Sequence, residues 1–373
     1  MNIAVFLTFG YSLKTWQLSG TLDRELKVYK ELHDKFGVKF TLFSYGDNSD
    51  KELLNNYSCF ELITLFDNKT SLNKINKLIY SCFLPIKYYK KLKNFDVLHQ
   101  HQLLGTWVVL LSKLLLRKPV LIRTGYDMYE FAGYSKGKFS LIRWLFYLLT
   151  YFSIYFCDLY TVTSECDRTF LSKNFKINNK KILLRPNWII PSNIKPLELR
   201  ESSKLITIGR LDKQKNYLEL IKQFPHNSEL ELLIVGDGNQ KEILKREIIK
   251  NKYRVTVKSK LDNDKLIHEL NNYKYYISTS LYEGNPKTLL EAMSCGCIVI
   301  ASNIKNHTEI IDQSNGVLFQ LGDFDLTDII NNLEKNKSSQ LKLSINAEKS
   351  VVQKNHLDKL VVNMYEDYKF LIK

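Results

Sequence analysis

Two carboxylates eight positions apart, Glu283 and Glu291, stand inside the stretch ISTSLYEGNPKTLLEAMSCGCIVIAS at residues 277–302. Glu283 falls in a loop broken by Gly284 and Pro286. Glu291 falls on the helix that the composition of residues 288–294 predicts, which Gly296 stops. Between them Asn285, Pro286, Lys287, Thr288 and Leu289 make a helix start, whose free amides and dipole attract phosphate. A carboxylate at the position of Glu291 can accept paired hydrogen bonds from vicinal hydroxyls such as those of ribose, each worth roughly 1.5–3 kcal/mol. Upstream, Arg210 and Lys215 follow a strand end at Gly209. Two cations five positions apart on one loop can grip a diphosphate, Arg as a fork and Lys as a mobile point charge. Gly236 and Gly238 allow a backbone to approach a ligand closely. Alone, a Gly-Arg pair after a strand reads as a turn and a helical Glu as a surface charge. Their order and spacing carry the reading.

These residues need strand ends and helix starts to hold them. Residues 2–7 read as a strand, 9–20 as a loop, 21–36 as a helix ended by Gly37, and 38–43 as a second strand. The alternation continues to residues 182–184 and restarts at 205–208, which is the pattern of doubly wound parallel sheets. At 373 residues two domains are expected. They are drawn as an N-terminal Rossmann-like domain over residues 1–187, a Pro-containing linker over 188–203, a C-terminal Rossmann-like domain over 204–355 and a C-terminal helix over 356–373 packing back on the first domain. Ligands bind beyond the carboxyl ends of such strands, so the site is expected in a cleft that the two domains face. Hydrophobic content of 45% excludes a disordered chain. A net charge of +15 calls for an anionic partner or a solvated surface. Six cysteines in a chain this long are no disulfide framework, and Cys295-Gly296-Cys297 has no second pair for zinc.

The residues Ile208-Gly209-Arg210-Leu211 with Lys215, Leu233 through Gly238, and Tyr282-Glu283-Gly284 through Glu291 to Gly296 resemble glycosyltransferase family 4. Its members have the two-domain GT-B fold, use nucleotide-diphosphate sugars and retain anomeric configuration. The match runs through nearly the whole chain and is strongest over residues 204–309. Softer matches are Asp96 to His99 and Arg185-Pro186-Asn187, and Ser19-Gly20 stands where the family has a glycine-rich loop near the donor phosphates. The resemblance implies that Arg210 and Lys215 neutralise the leaving diphosphate in place of a metal ion, so that no cofactor or metal is needed. It also implies that Glu291 holds the ribose and that Glu283 sits near the sugar. Many relatives carry a histidine in the loop that here reads Arg123-Thr124-Gly125-Tyr126-Asp127, which leaves Asp127 or Arg123 to orient acceptor or sugar, with His99 and His101 as alternatives. Asp262-Asn263-Asp264 reads as a helix start and not as a metal string.

The activity implied is transfer of a sugar to a glycan or lipid-linked acceptor in surface polysaccharide assembly. The alternatives are a GT-B epimerase or phosphorylase, and from another class a nucleic-acid binder, for which the dispersed basic residues give no motif. Residues 140–157, with Trp144, Tyr151 and Tyr155 beside Arg143, Lys136 and Lys138, have two readings. One is docking on an anionic membrane, and the other is a helix buried in the domain. Residues 103–116 and 144–157 are both short for a membrane span, and residues 1–7 read as a strand, not a signal peptide. A cytoplasmic protein, peripheral at the inner face of the membrane, is therefore expected.

Overall fold

A computed structural model describes residues 1–67, 72–136, 140–177, 181–225 and 229–373. Lys138 and the side chain of Lys136 lie outside what it describes. The chain forms two compact units, residues 1–186 with 358–373 and residues 187–357.

The first unit carries a seven-stranded sheet of β1 (Asn2–Phe6), β2 (Lys39–Ser44), β3 (Phe60–Thr64), β4 (Val97–Gln100), β5 (Val120–Arg123), β6 (Leu159–Val162) and β7 (Ile182–Leu184), in the order β3-β2-β1-β4-β5-β6-β7. The second carries β8 (Glu201–Ile208), β9 (Glu231–Val235), β10 (Val255–Lys258), β11 (Tyr273–Ser278), β12 (Ile298–Ser302) and β13 (Val317–Phe319), in the order β10-β9-β8-β11-β12-β13. Every pairing is parallel. Parallel strands covered on both faces need unbroken apolar runs, and Ile298-Val299-Ile300 is such a run, fully buried. In each sheet the order reverses beside the strand that opens the unit, between β1 and β4 and between β8 and β11.

Local chemistry sets the element ends. The helix Lys287–Ser294 closes with Gly296 at a left-handed φ of +68°. The Gly296 amide donates to the Met293 carbonyl at 2.9 Å and the Cys297 amide to the Ala292 carbonyl at 3.0 Å, a Schellman closure that aims the chain into β12. Residues 9–20, expected as a loop, contain the helix Leu13–Leu18. Ser12 and Thr15 form a capping box, the buried Asp50 carboxylate accepts from the amides of Leu13 and Lys14 at 3.1 and 3.0 Å, and Leu13 and Trp16 bury its inner side. A turn held by a carboxylate from another loop leaves little local pattern.

Residues 188–203 are not a free linker. Trp188, Ile189, Leu197 and Arg200 are buried in the second unit. The Arg200 guanidinium donates to the carbonyls of Cys295 (2.6 Å), Lys195 (2.7 Å) and Tyr273 (3.2 Å), which anchors the segment despite its Pro and polar composition. The last helix, Leu357–Ile372, belongs to the first unit from Asp358 onward. There Tyr365 stacks on Phe36 at 4.0 Å, Arg185 grips Asp367 with two donors, and the Tyr368 hydroxyl meets His99 Nδ1 at 2.6 Å.

The helix Leu141–Phe156 buries Thr150, Ser153 and Ile154. The rest of its surface is largely exposed, with Trp144 at 56% and Tyr155 at 61%, so the reading as a fully buried helix does not hold. Among the described residues no helix is long and apolar enough to cross a membrane.

Candidate active site

In the second unit the loops after β8 and β11 meet where the strand order reverses, which is where open α/β sheets bind ligands. The loop after β8 carries Arg210 and Lys215, and the loop after β11 carries Ser280 and Glu283. Asp212 starts the first loop's turn by accepting from the Lys215 amide, and Asn216 closes it at a φ of +57°. That turn points the Lys215 side chain back across the strand ends. Lys215 Nζ lies 2.5 Å from Glu283 Oε1, with the two side chains only 15% and 8% exposed. Ser280 Oγ donates to the same oxygen at 2.6 Å. Gln214 Nε2 donates to Glu283 Oε2 at 3.3 Å and to the Tyr282 carbonyl at 2.8 Å. Burial opposes ionisation of Glu283, but the charge and hydrogen bond of Lys215, with the Ser280 hydroxyl, outweigh it and hold the carboxyl below its usual range. His307, behind the pair, is held below its usual range by burial, against the pull of the Ser302 carbonyl and the Glu283 charge. It is a neutral imidazole at neutral pH.

Arg210 has its side chain 74% exposed and reaches the same group through Gln214, whose Oε1 accepts from Nη2 at 3.1 Å. Arg210 also pairs with Asp212 at 3.5 Å, but at that exposure it can still meet an incoming anion, while Lys215 is buried against Glu283. Glu291 is buried on the helix Lys287–Ser294. No side chain caps that helix, and Pro286, which has no amide hydrogen, stands at its start. Thr288 is occupied structurally, with its hydroxyl donating to the Ile208 carbonyl at 3.1 Å and lying 2.9 Å from the Tyr276 hydroxyl. Lys287 and Leu289 belong to the same first turn, and Leu289 is fully buried. The Asn285 side chain accepts from the Asn187 amide at 3.0 Å, and its carbonyl accepts from Asn187 Nδ2 at 2.6 Å. Asn187 is tied in turn to Asn355 at 2.7 Å.

Gly236 meets a need within the chain itself. A Cβ there would stand 1.9 Å from the Gly209 carbonyl oxygen. The close approach is between two of the chain's own loops, locked by the Leu211 amide on the Asp237 carbonyl at 3.0 Å and the Gln240 amide on the Leu211 carbonyl at 2.9 Å.

In the first unit, Gly20 is exposed and left-handed at φ +69°, just past the helix Leu13–Leu18. Asp127 is buried, and its Oδ1 accepts from the Glu130 amide at 2.7 Å, the geometry of a cap on the helix Met128–Lys136. Arg123 is buried at the end of β5. His101 meets the Tyr29 hydroxyl at 3.0 Å through Nδ1 and Glu25 at 3.4 Å through Nε2, while His99 meets Tyr368. Both imidazoles thus serve a buried network. Asp262 caps the helix Asn263–Leu270 and pairs with Lys265 at 2.9 Å.

Sequence reasoning missed Gln214, Ser280 and His307. The run Ser278-Thr279-Ser280 at the end of β11 was the available signal, since small hydroxyl residues at a strand's carboxyl end can donate to a neighbouring carboxylate.

Solved structures share this architecture over the whole chain. Sucrose-phosphate synthase from Thermosynechococcus elongatus superposes with a TM-score of 0.77 at 17% identity, covering 100% of this chain and 99% of that one. Anabaena HepE in complex with UDP superposes with a TM-score of 0.74 at 16% identity, covering 99% and 100%. The likeness shows the GT-B fold. Residues 191–350 match the model of Glycosyl transferases group 1, and residues 28–193 match that of Glycosyltransferase Family 4. The capsular polysaccharide biosynthesis glycosyltransferase CapH of Staphylococcus aureus is 30% identical over 256 residues, 64% of this chain and 68% of the relative. An N-acetylgalactosaminyltransferase of Campylobacter jejuni, named for a diphospho-undecaprenol-linked saccharide, is 27% identical over 258 residues, 64% and 67%. The chain belongs to glycosyltransferase family 4, and it is a glycosyltransferase enzyme.

Proposed function

We propose that the chain is a retaining transferase that moves a sugar from a nucleotide-diphosphate sugar to a lipid-linked or glycan acceptor in surface polysaccharide assembly, at the inner face of a membrane. The observation that carries the reading is the buried Lys215–Glu283 pair at the strand reversal of the second sheet, with exposed Arg210 on the same loop and an uncapped helix start beside it. Arg210 and Lys215 meet the charge of the leaving diphosphate, so this reading requires no metal ion. The first-turn amides of the helix Lys287–Ser294 add their dipoles, and Glu291 accepts from the ribose hydroxyls. Glu283, released in part from Lys215, faces the sugar hydroxyls. In a same-face reaction the bond to the diphosphate breaks as the acceptor oxygen bonds to the anomeric carbon, and a phosphate oxygen takes the acceptor proton. No protein nucleophile enters. Asp127 keeps its helix-capping bond in this scheme and Gly20 lets the chain turn beside its short helix. Their proposed contributions, to acceptor orientation and to the donor phosphates, are tested by their own alanine variants. The name of the Campylobacter relative, which carries a diphospho-undecaprenol-linked saccharide, supports the acceptor class, and that of the Staphylococcus relative supports polysaccharide assembly.

The test begins with a thermal-shift screen of UDP-, GDP- and ADP-sugars, since a ligand that binds only the folded state raises its stability. With the donor so found, Glu291→Ala raises the calorimetric Kd, and unchanged affinity refutes the ribose role. Arg210→Ala lowers kcat about 100-fold with an unchanged melting point. An NMR product of inverted anomeric configuration would sink the retaining assignment. Isomerised donor recovered without acceptor would mark an epimerase.

A further inference from the structure

We propose that His307 is a positioning residue that takes up a proton as the donor's diphosphate draws Lys215 off Glu283, so that nucleotide-sugar binding and charging of this imidazole are coupled. The proposal deepens the reading of Lys215 and Glu283 given above and rests on it for the donor, while the wiring it uses is present in the chain alone.

The wiring runs through two serines. His307 is fully buried on the short helix Lys305–Thr308, behind the Lys215–Glu283 pair. Its Nδ1 lies 2.8 Å from the Ser302 carbonyl, an oxygen that only accepts, so Nδ1 carries a hydrogen and the neutral ring has a bare Nε2. Nε2 lies 3.5 Å from Ser278 Oγ, which lies 3.4 Å from Ser280 Oγ, which donates to Glu283 Oε1 at 2.6 Å. The hydrogens along this path do not suffice for it. That of Ser280 is committed to the carboxylate. Ser278 has one hydrogen and two neighbours that can only accept it, Nε2 on one side and Ser280 Oγ on the other. With a neutral His307 one of the two links is empty, and both are long for hydrogen bonds. An imidazolium removes the conflict. Nε2–H donates to Ser278, Ser278 to Ser280 and Ser280 to Glu283, so every link has its hydrogen and the whole path points at the carboxylate.

Charge supplies the trigger. Lys215 and Glu283 are the charges that reach His307 from the neighbouring loops, and its own segment adds Lys305 and Glu309, of opposite sign. Burial and the Lys215 cation work against a charged ring, the Ser302 carbonyl and the Glu283 carboxylate work for it, and the balance leaves it neutral. A bound diphosphate pulls the Lys215 ammonium toward itself and brings its own negative charge to the same strand ends. Both changes favour the imidazolium. Glu283, its side chain 8% exposed, would otherwise lose its buried cation, which is a costly state. The proton goes to His307 and not to Glu283 because Ser280 and Gln214 both donate to the carboxylate and offer a carboxyl proton no acceptor, whereas Ser278 Oγ is placed to receive one from Nε2. Glu283 thus stays ionised and fixed for the sugar hydroxyls.

The test is calorimetry of the wild-type chain with the UDP-, GDP- or ADP-sugar that the thermal-shift screen selects, at neutral pH in phosphate and in Tris, whose ionisation enthalpies differ. The diphosphate of a nucleotide-sugar is a diester with no proton to exchange near neutrality, so a buffer-dependent heat reports on the protein. The expected result is net uptake of about half a proton or more, with affinity falling by up to about tenfold per unit as pH rises above neutral. His307→Gln keeps a donor and an acceptor but takes no charge, so it should bind without uptake and with a flat pH profile. Should that variant melt well below wild type, Ser278→Ala, which leaves His307 in place and removes its acceptor, should likewise cut the uptake. A second arm needs no donor. In the free chain, Lys215→Met should move the imidazole titration of His307, followed by NMR, to higher pH than in wild type. Donor binding without proton exchange, undiminished uptake in either variant, or an unmoved His307 titration in Lys215→Met would each overturn the proposal. Failure of every nucleotide-sugar to bind would overturn the enzymatic reading instead, and the free-chain titration would still decide the role of His307.

Discussion

Lys215 and Glu283 face each other at 2.5 Å with little water around either, so each charge is tolerable only because of the other. Removing one partner of a buried pair strands the second, at a cost of about 3 kcal/mol, whereas removing both charges is close to neutral. Lys215→Met should therefore lower unfolding free energy in urea by about that amount, and Lys215→Met/Glu283→Gln should recover most of it. A single variant as stable as wild type would contradict the pairing. The pH dependence follows from the same arrangement. Burial works against the Glu283 carboxylate and Lys215 more than compensates, so in wild type the pair contributes stability above the usual carboxylate value of 4.5 and loses it as pH falls through the lower folded value. Without Lys215, only the Ser280 hydroxyl and the His307 field oppose burial, so the carboxyl titrates higher than in wild type, and the stability gap between wild type and Lys215→Met should be widest near neutral pH and close on acidification. Glu283 and Lys215 were legible in the sequence because loop chemistry after strand ends follows chain order. Gln214, Ser280 and His307 were not, because their hydrogen bonds and field on Glu283 depend on three loops meeting in space.

The two sheets were readable from apolar runs such as Ile298-Val299-Ile300, and the ends of helices from glycines such as Gly37 and Gly296, since burial on both faces and a left-handed closure each leave a local mark. The helix Leu13–Leu18 left only its short Ser12–Thr15 capping box, and the packed segment around Arg200 little more, because the first is also held by Asp50 and the second by the carbonyls of Tyr273 and Cys295 far along the chain. Gly236 sits between these cases. Its position in the sequence was visible, but the reason for it is the Gly209 carbonyl pressed against it. Gly236→Ala should consequently destabilise the second unit by about 3 kcal/mol or more, since backbone cannot yield as a flexible side chain can. The readout is the melting point of the variant without donor. A variant that melts as wild type does and loses only donor affinity would return the glycine to a ligand-contact role.

The first unit is discontinuous in sequence and the second is not. Residues 358–373 bring Tyr365, Asp367 and Tyr368 to the first sheet and its flanking helix, where Phe36, Arg185 and His99 receive them. Deleting these residues should leave Arg185 without its carboxylate and expose the buried His99–Tyr29 region. Native-state proteolysis should then cut the first unit while the second keeps its protection, and uniform loss of both would show that the two units unfold as one.

The same discontinuity imposes an order on synthesis. A ribosome that has made residues 187–357 has released a complete second sheet, while the earlier-made first sheet still waits for its closing helix. The unit that is first in the sequence becomes the last to be finished. Through that interval the face of the first sheet that receives Tyr368 stays open to solvent.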